Sequence, residues 1–348
     1  MSYTKNQVAE ILKKVLYFPK GDNIISLKMV EDIKIDGKNI NVTILFPKPT
    51  DPAVNIVINT VKSEIKKNID KKAIVTITQK SESKEENSLA GVKKIIAVAS
   101  GKGGVGKSTI AVNLAIALSK TGAKVGLLDT DIYGPSIPIM FGLENAKPQV
   151  VSKNGKQKVI PINKFGIHLI SIGFFVDPKQ ALIWRGPMAT NALNQLFNDA
   201  EWGELDYLVL DLPPGTGDIH LTLAQSYPVD GVVIVTTPQK VAMADVQKAI
   251  SMFNQDNIKI PIFGLIENMS YFVPEELPDN KYYIFGKSYS KSFSEKVNIP
   301  FLGQIPIVQS IAESGDSGNP IVLDDKSLAS KAFVDLANNI INSKILSK

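Results

Sequence analysis

The string Gly101-Lys102-Gly103-Gly104-Val105-Gly106-Lys107-Ser108-Thr109 constrains this chain more than any other stretch. It follows an apolar, β-like run, Ile95-Ile96-Ala97-Val98-Ala99, and leads into residues 110–118, which read as a helix. Strand, glycine-rich loop and helix are the context a phosphate-binding loop needs, and the spacing G-x-x-x-x-G-K-S is matched in full. Glycines let the backbone curl until several N–H groups face one anion, and the helix N-terminus adds partial positive charge. Lys107 offers a mobile cation for the β- and γ-phosphates, and the Ser108 hydroxyl is placed for Mg²⁺. A glycine-rich turn that merely carries lysines is the bland alternative, and the flanking elements speak against it. The implied ligand is a nucleoside triphosphate.

The rest of the composition narrows the class. With 348 residues there is room for one large domain and a small one. Lys and Arg number 39 against 34 Asp and Glu, a mild excess spread along the chain and a weak signal for nucleic acid or anionic lipid. The start, Met1-Ser2-Tyr3-Thr4-Lys5-Asn6, lacks the apolar core of a signal peptide, and no apolar run approaches membrane-spanning length. A cytoplasmic location is expected, without membrane or nucleic-acid partners. There is no cysteine, which excludes disulfides, thiolate catalysis and any self-contained cysteine metal site.

Residues 1–80 read as a small α/β domain. Val8, Ile11, Leu12, Val15 and Leu16 recur at helical spacing, and a second helix is expected to carry Ile56, Ile58, Val61 and Ile65. Ile33-Lys34-Ile35 and Ile40-Asn41-Val42-Thr43-Ile44 alternate as strands around Asp36-Gly37, and residues 73–77 add a third strand. Residues 81–92, polar and without periodicity, read as a flexible linker. From 93 to 348 strands and helices alternate. Strands are expected at 125–129, 166–172, 206–211, 231–236, 260–266 and 301–305, and helices near 187–198, 219–226, 240–253, 288–296 and 328–342. The fold class is therefore α/β: a P-loop domain whose mostly parallel sheet is covered by helices on both faces, with ligands at the carboxyl ends of the strands.

Several strand ends carry chemistry. Tyr207-Leu208-Val209-Leu210-Asp211 ends on a carboxylate suited to orient Mg²⁺, and Pro213-Pro214-Gly215 gives a rigid turn whose Gly215 N–H could meet the γ-phosphate. Asp129-Thr130-Asp131 ends a second strand on the same edge, and one of these carboxylates is expected to position the attacking water. Asn268, at the end of another strand, offers donor and acceptor to the edge of adenine, or simply forms a turn. His168 reads as filler and His220 as a helix-surface residue. Arg185, in Trp184-Arg185-Gly186-Pro187-Met188, is either near a dimer interface or part of a structural turn.

Taken in order, K-G-G-V-G-K-S-T, D-T-D-I-Y-G-P-S (129–136), W-R-G-P-M, W-G-E-L-D-Y-L-V-L-D-L-P-P-G-T-G-D (202–218) and I-E-N-M-S-Y-F (266–272) resemble the Mrp/ApbC family of ATP-dependent iron–sulfur cluster carriers. The loop itself is similar to the deviant Walker A loop of the group containing nitrogenase iron protein, ParA and MinD. The front domain is similar to the small α/β domain often fused ahead of such ATPases. The resemblance implies a homodimeric, Mg²⁺-dependent ATPase. Residues 101–109, Gly215 and Asn268 would bind the nucleotide. Lys102 would reach a partner's nucleotide, Lys102, Lys107 and Asp131 would act in hydrolysis, and Ser108, Asp129 and Asp211 would lie at the metal. Iron–sulfur scaffold or client proteins are the implied partners. The family's Cys-x-x-Cys pair belongs just after Met269-Ser270-Tyr271-Phe272, where this chain reads Val273-Pro274-Glu275-Glu276-Leu277-Pro278. The resemblance therefore implies an iron–sulfur cluster that this chain has no thiolates to hold. Two competing readings are a ParA- or MinD-like positioning ATPase on DNA or membrane and a nucleotide-dependent adaptor with negligible turnover; the apolar stripe Leu328, Phe333, Leu336, Ile340 and Ile341 would serve the first as a membrane helix, although such a stripe is more often a core-packing helix.

Overall fold

The computed structural model describes residues 3–47, 53–71, 73–81, 88–153, 156–176, 186–217, 220, 223, 226–256, 258–274, 276–277 and 279–343. The chain divides into two compact units, Met1–Asn87 and Ser88–Lys348.

In the first unit, α1 (Lys5–Leu12) starts with a reciprocal cap between Thr4 and Gln7. A two-stranded ribbon, β1 (Leu16–Tyr17) with β2 (Asp22–Asn23), follows it. β3 (Val30–Asp36) and β4 (Asn39–Phe46) pair antiparallel around a turn that Gly37 makes at φ +58°. β4 then pairs parallel with β5 (Ile74–Ser81) across α2 (Val54–Asn68). Alternation along β4 sends Ile40, Val42, Ile44 and Phe46 inward, each fully buried. α2 carries Ile56, Ile58, Val61 and Ile65 as expected, and its buried stripe is Val54, Val57, Val61 and Ile65, with Ile56 54% exposed. One expectation needs correction. α1 stops at Leu12, so Val15 is buried from a turn and Leu16 lies outside the helical face at 48% exposure.

The second unit is built on an eight-stranded sheet. Its strands are β6 (Val92–Ser100), β7 (Val125–Asp129), β10 (Ile162–Lys164), β11 (Ile167–Ser171), β12 (Leu205–Asp211), β13 (Gly231–Thr236), β14 (Ile262–Glu267) and β15 (Phe301–Gln304). Their order is β10-β11-β7-β12-β6-β13-β14-β15, and only the β10–β11 pair is antiparallel. The period of two along β6 explains both faces. Ile96 and Val98 join α3 (Lys107–Lys120) and the helix Leu328–Ile341 in one core, while Ile95, Ala97 and Ala99 join the helices Gly186–Asp199 and Lys240–Phe253 in the other. A sheet buried on both sides accounts for the near-continuous apolar runs of its central strands.

Residues 88–92 differ from the flexible segment expected there. Leu89 is buried in the core, Ser88 Oγ donates to the Phe197 carbonyl, and β6 already begins at Val92. Residues 82–87 lie outside the described residues, as does most of the helix expected over 219–226. The exposed hairpin β8 (Gln149–Lys153) with β9 (Lys156–Ile160) and the edge strand β10 were not anticipated, because their polar sequences show no apolar period. In Leu328–Ile341, Phe333, Leu336 and Ile340 are buried against the sheet, so the stripe is a core face rather than a membrane face. Among the described residues no helix is long and apolar enough to cross a membrane.

Candidate functional site

β6 delivers the chain to the loop at Ser100, and α3 begins at Lys107. Gly104 and Gly106 hold φ +76° and +78°, the left-handed region where a side chain is strained. Gly101 is required for a different reason, since a Cβ there would lie 2.4 Å from the main-chain carbonyl of Asp245 in the helix Lys240–Phe253. The loop is buttressed from the far side by Asn268, just beyond β14, whose Nδ2 donates to the Val105 carbonyl at 2.8 Å. Asn268 is itself anchored by its N–H on Thr236 O at 2.8 Å. The preceding residue, Glu267, is fully buried and accepts from Ser270, Ser288 and Gln304.

Beside the loop lies a cavity of about 230 Å³, lined among others by Gly103, Lys107, Thr109, Asp131, Met140 and Pro214. Parallel register brings the acidic strand ends together: Ser171 pairs with Asp129, and Asp129 with Asp211. Lys107, only 6% exposed, places Nζ 2.6 Å from Asp211 Oδ1 and 3.6 Å from Asp131 Oδ2, and donates to Ser108 Oγ at 3.3 Å. Asp129 is fully buried with both oxygens engaged. Oδ1 accepts from the Asp131 N–H at 3.0 Å and Oδ2 from Ser171 Oγ at 2.8 Å. Thr130 closes the gap between strands by donating its N–H and its hydroxyl to the Asp211 carbonyl.

Electrostatics follow from burial. Desolvation, reinforced by the charge of Asp211, raises the Asp129 carboxyl to about 8, against the opposing hydrogen bonds from Ser171 and Asp131. Burial also raises Asp211, with the Lys107 ammonium as the main opposing influence. Asp131 Oδ1 and Asp211 Oδ2 are buried without hydrogen-bond partners. Two unpartnered carboxylate oxygens beside a lysine and a hydroxyl form a hard-donor set that suits a small divalent cation carried in with a polyphosphate.

The structure brings together the whole 101–109 loop, Asp129, Asp131, Asp211 and Asn268. Several local roles differ from expectation. Asp129, expected in the metal shell, spends its oxygens on Asp131 and Ser171. The Asn268 amide donor is engaged with the loop, and the Gly215 N–H donates to Ser100 O at 2.9 Å. Lys102 is half-buried, its main-chain carbonyl accepting from Ser100 Oγ at 2.9 Å. His220 is not on a surface but 2% exposed beside Pro213. His168 is half-buried in β11. Trp184, Arg185 and Asp218 lie outside the described residues. Ser100, Ser171 and Met140 were missed. Ser171 has no motif of its own and is placed by register alone, whereas Ser100 and Met140 sit beside motifs that could have drawn them in.

In place of thiolates, the segment after Ser270 presents exposed Tyr282, Tyr283, Ile284 and Phe285, with Lys281 Nζ 4.3 Å from the Tyr271 ring centroid. Among the described residues no three His, Asp or Glu side chains are grouped to hold a metal ion. These residues do not fit an iron–sulfur cluster.

Comparison with known proteins decides the lineage of this site. Residues 91–341 match the model described as NUBPL iron-transfer P-loop NTPase. The chain belongs to that family. Its residues 5–78 match the model of an iron-sulfur cluster assembly protein. Within the NUBPL family it is 40% identical over 343 residues to an "Iron-sulfur cluster carrier protein" of Synechocystis sp., covering 97% of each chain. It is 50% identical over 261 residues to one from Aquifex aeolicus, covering 73% of this chain and 70% of the relative. Among solved structures, a nucleotide-binding protein from Archaeoglobus fulgidus in complex with ADP superposes with a TM-score of 0.58 at 38% identity, covering 67% of this chain and 91% of that one. The cell-division ATPase MinD of Pyrococcus furiosus, at 22% identity and a TM-score of 0.52 over 71% of this chain and 98% of its own, shares the fold.

Proposed function

We propose that this NUBPL-family P-loop NTPase binds and hydrolyses ATP with Mg²⁺ as a homodimer, and that its turnover assists iron–sulfur protein assembly in the cytoplasm. The observation that carries the reading is Lys107, held between Asp211 and Asp131 at the floor of a glycine loop. Ser108 and Asp211 would hold the metal, which when bound offsets charge on the phosphate oxygens. Lys107 would leave its carboxylates for the phosphates, a short swing for a flexible ammonium. Asp131, fixed through its N–H by Asp129 and with Oδ1 unpartnered, would orient the attacking water. Gly215 would offer its N–H to the terminal phosphate, Asn268 would hold the loop and meet the base, and Lys102 would serve a second copy's nucleotide.

Assistance to clients takes the form of an ATP-driven switch or docking step, with the cluster held by a thiolate-bearing partner. Support comes from the relatives' names and from the two family matches, and the missing donor set argues against direct carriage. A steady-state phosphate-release assay with Mg²⁺ and ATP tests the enzymatic half. Turnover abolished in Lys107→Ala supports it, whereas wild-type protein without turnover leaves the adaptor reading.

A further inference from the structure

A further buried titratable side chain stands near the loop. His220 lies 2% exposed behind residues 213–217, with Nε2 2.9 Å from the Pro213 carbonyl. A carbonyl oxygen only accepts, so Nε2 carries the proton and the ring is held in one tautomer. Nδ1 is buried without a partner. Burial lowers the histidine's pKa against the pull of the Pro213 and Gly217 carbonyls, so the ring is neutral at neutral pH and donates from Nε2 alone. The His220 main-chain N–H donates to Gly217 O at 3.0 Å, so one residue fastens both ends of the turn.

Between those ends the turn is held differently. Gly215 adopts φ +91° with nothing within 4 Å of where a Cβ would stand, and its N–H reaches back to Ser100 O at 2.9 Å. Ser100 is fully buried, and its hydroxyl donates to the Lys102 carbonyl at 2.9 Å. Pro214, next to Gly215, lines the cavity. A chain of contacts thus runs from His220 through the turn and Ser100 to the backbone of Lys102.

We infer that His220 is a positioning residue that fixes the 213–217 turn at both ends, confines its movement to Gly215, and lets exchange of the Gly215 N–H between Ser100 and a phosphate oxygen be transmitted to Lys102. The phosphate part rests on the ATP-binding reading above. The fixed ends are what make the transmission directional: a turn loose at Pro213 would absorb the pull on Gly215 by sliding as a whole.

Hydrogen–deuterium exchange on the full chain reads this without requiring turnover. His220→Phe keeps the ring volume and removes the donor, and His220→Gln keeps a donor amide. Exchange at residues 215–217 is expected to rise about tenfold in the Phe variant, the equivalent of one hydrogen bond, and to stay near wild type in the Gln variant. In steady-state ATP hydrolysis, the Phe variant should lose kcat by a similar factor with KM unchanged, and the Gln variant should recover it. Should the Phe variant fail to fold, Ser100→Ala carries the test. A non-hydrolysable ATP analogue should still protect Gly215 but no longer change exchange at 101–104. Unchanged exchange at 215–217 in a folded Phe variant, equal damage from Phe and Gln, or a wild-type response at 101–104 in Ser100→Ala each overturns the inference. Wild-type protein without ATP turnover would sink the functional reading, while the exchange at 215–217 still decides the role of His220.

Discussion

Lys107 Nζ stands 2.6 Å from Asp211 Oδ1, both groups withdrawn from solvent, so the cation of the phosphate loop and the carboxylate of the neighbouring strand neutralise one another inside the fold. An ion pair in this setting holds its geometry because each partner would be costly to leave alone.

Removing one partner should therefore damage both stability and activity, and removing both should restore stability alone. Lys107→Ala is expected to lower unfolding free energy by about 3 kcal/mol, and Lys107→Ala with Asp211→Asn to regain most of it. ATP turnover should fall by at least ~100-fold in both variants, the scale of losing one electrostatic contact to the reacting phosphates. Denaturant melts and phosphate release on the same preparations check this. An additive double variant would show that the pair is not coupled.

Asp129 makes the fold pH-sensitive in a defined direction. Its carboxyl titrates near 8 when folded, and that of a free aspartate near 3.8. Between these values the folded chain binds the extra proton, so this residue's contribution is full below the lower value and is lost as pH rises toward 8. The melting temperature of protein without nucleotide should drop more steeply from pH 5 to pH 8 in the wild type than in Asp129→Asn. Identical slopes would refute the assignment.

The Asn268–Val105 contact predicts how the loop tolerates change. Asn268→Ala deletes one buried hydrogen bond to the loop and should weaken ADP binding about tenfold. Gly106→Ala should abolish binding, because its Cβ would stand 2.3 Å from Asn268 Nδ2 at a φ of +78°. Pairing it with Asn268→Ala should not restore affinity, since the backbone strain persists. Titration calorimetry with ADP measures all three.

Iron and sulfide offered anaerobically to the purified protein should leave no stable cluster, read as bound iron and visible absorption. The structure supplies no thiolate and, among the described residues, no grouped acidic or histidine ligands. A persistent cluster would mean an unrecognised ligand set and would return direct carriage to this chain.

Lys102→Ala should suppress ATP-induced dimerisation, measured by light scattering with a non-hydrolysable analogue, while ADP affinity changes little. Wild-type dimer formation in the variant would remove the residue from any intersubunit role.

The loop, the two-faced parallel sheet and the acidic strand ends were legible because each rests on local rules: glycine spacing, apolar runs, carboxylates at strand ends. What escaped depended on partners far along the chain. Ser171 matters because its strand lies in register with β7, which no spacing announces. Asp129 and Asp131 look interchangeable as letters, and only hydrogen bonds separate the residue that holds from the one that is held. His220 read as surface because its neighbours are mixed in character, yet the turn at Pro213 folds over it.

The order of strands separates two parts of the molecule. The loop and its acidic partners come from β6, β12 and β7, adjacent in the middle of the sheet, whereas the stretch where the resemblance would put a Cys-x-x-Cys pair leaves from β14, two places toward the rim. A change in that stretch therefore leaves the neighbouring strands that carry the loop and its carboxylates untouched. In this chain the loop and its carboxylates are in place while the stretch after β14 holds no thiol.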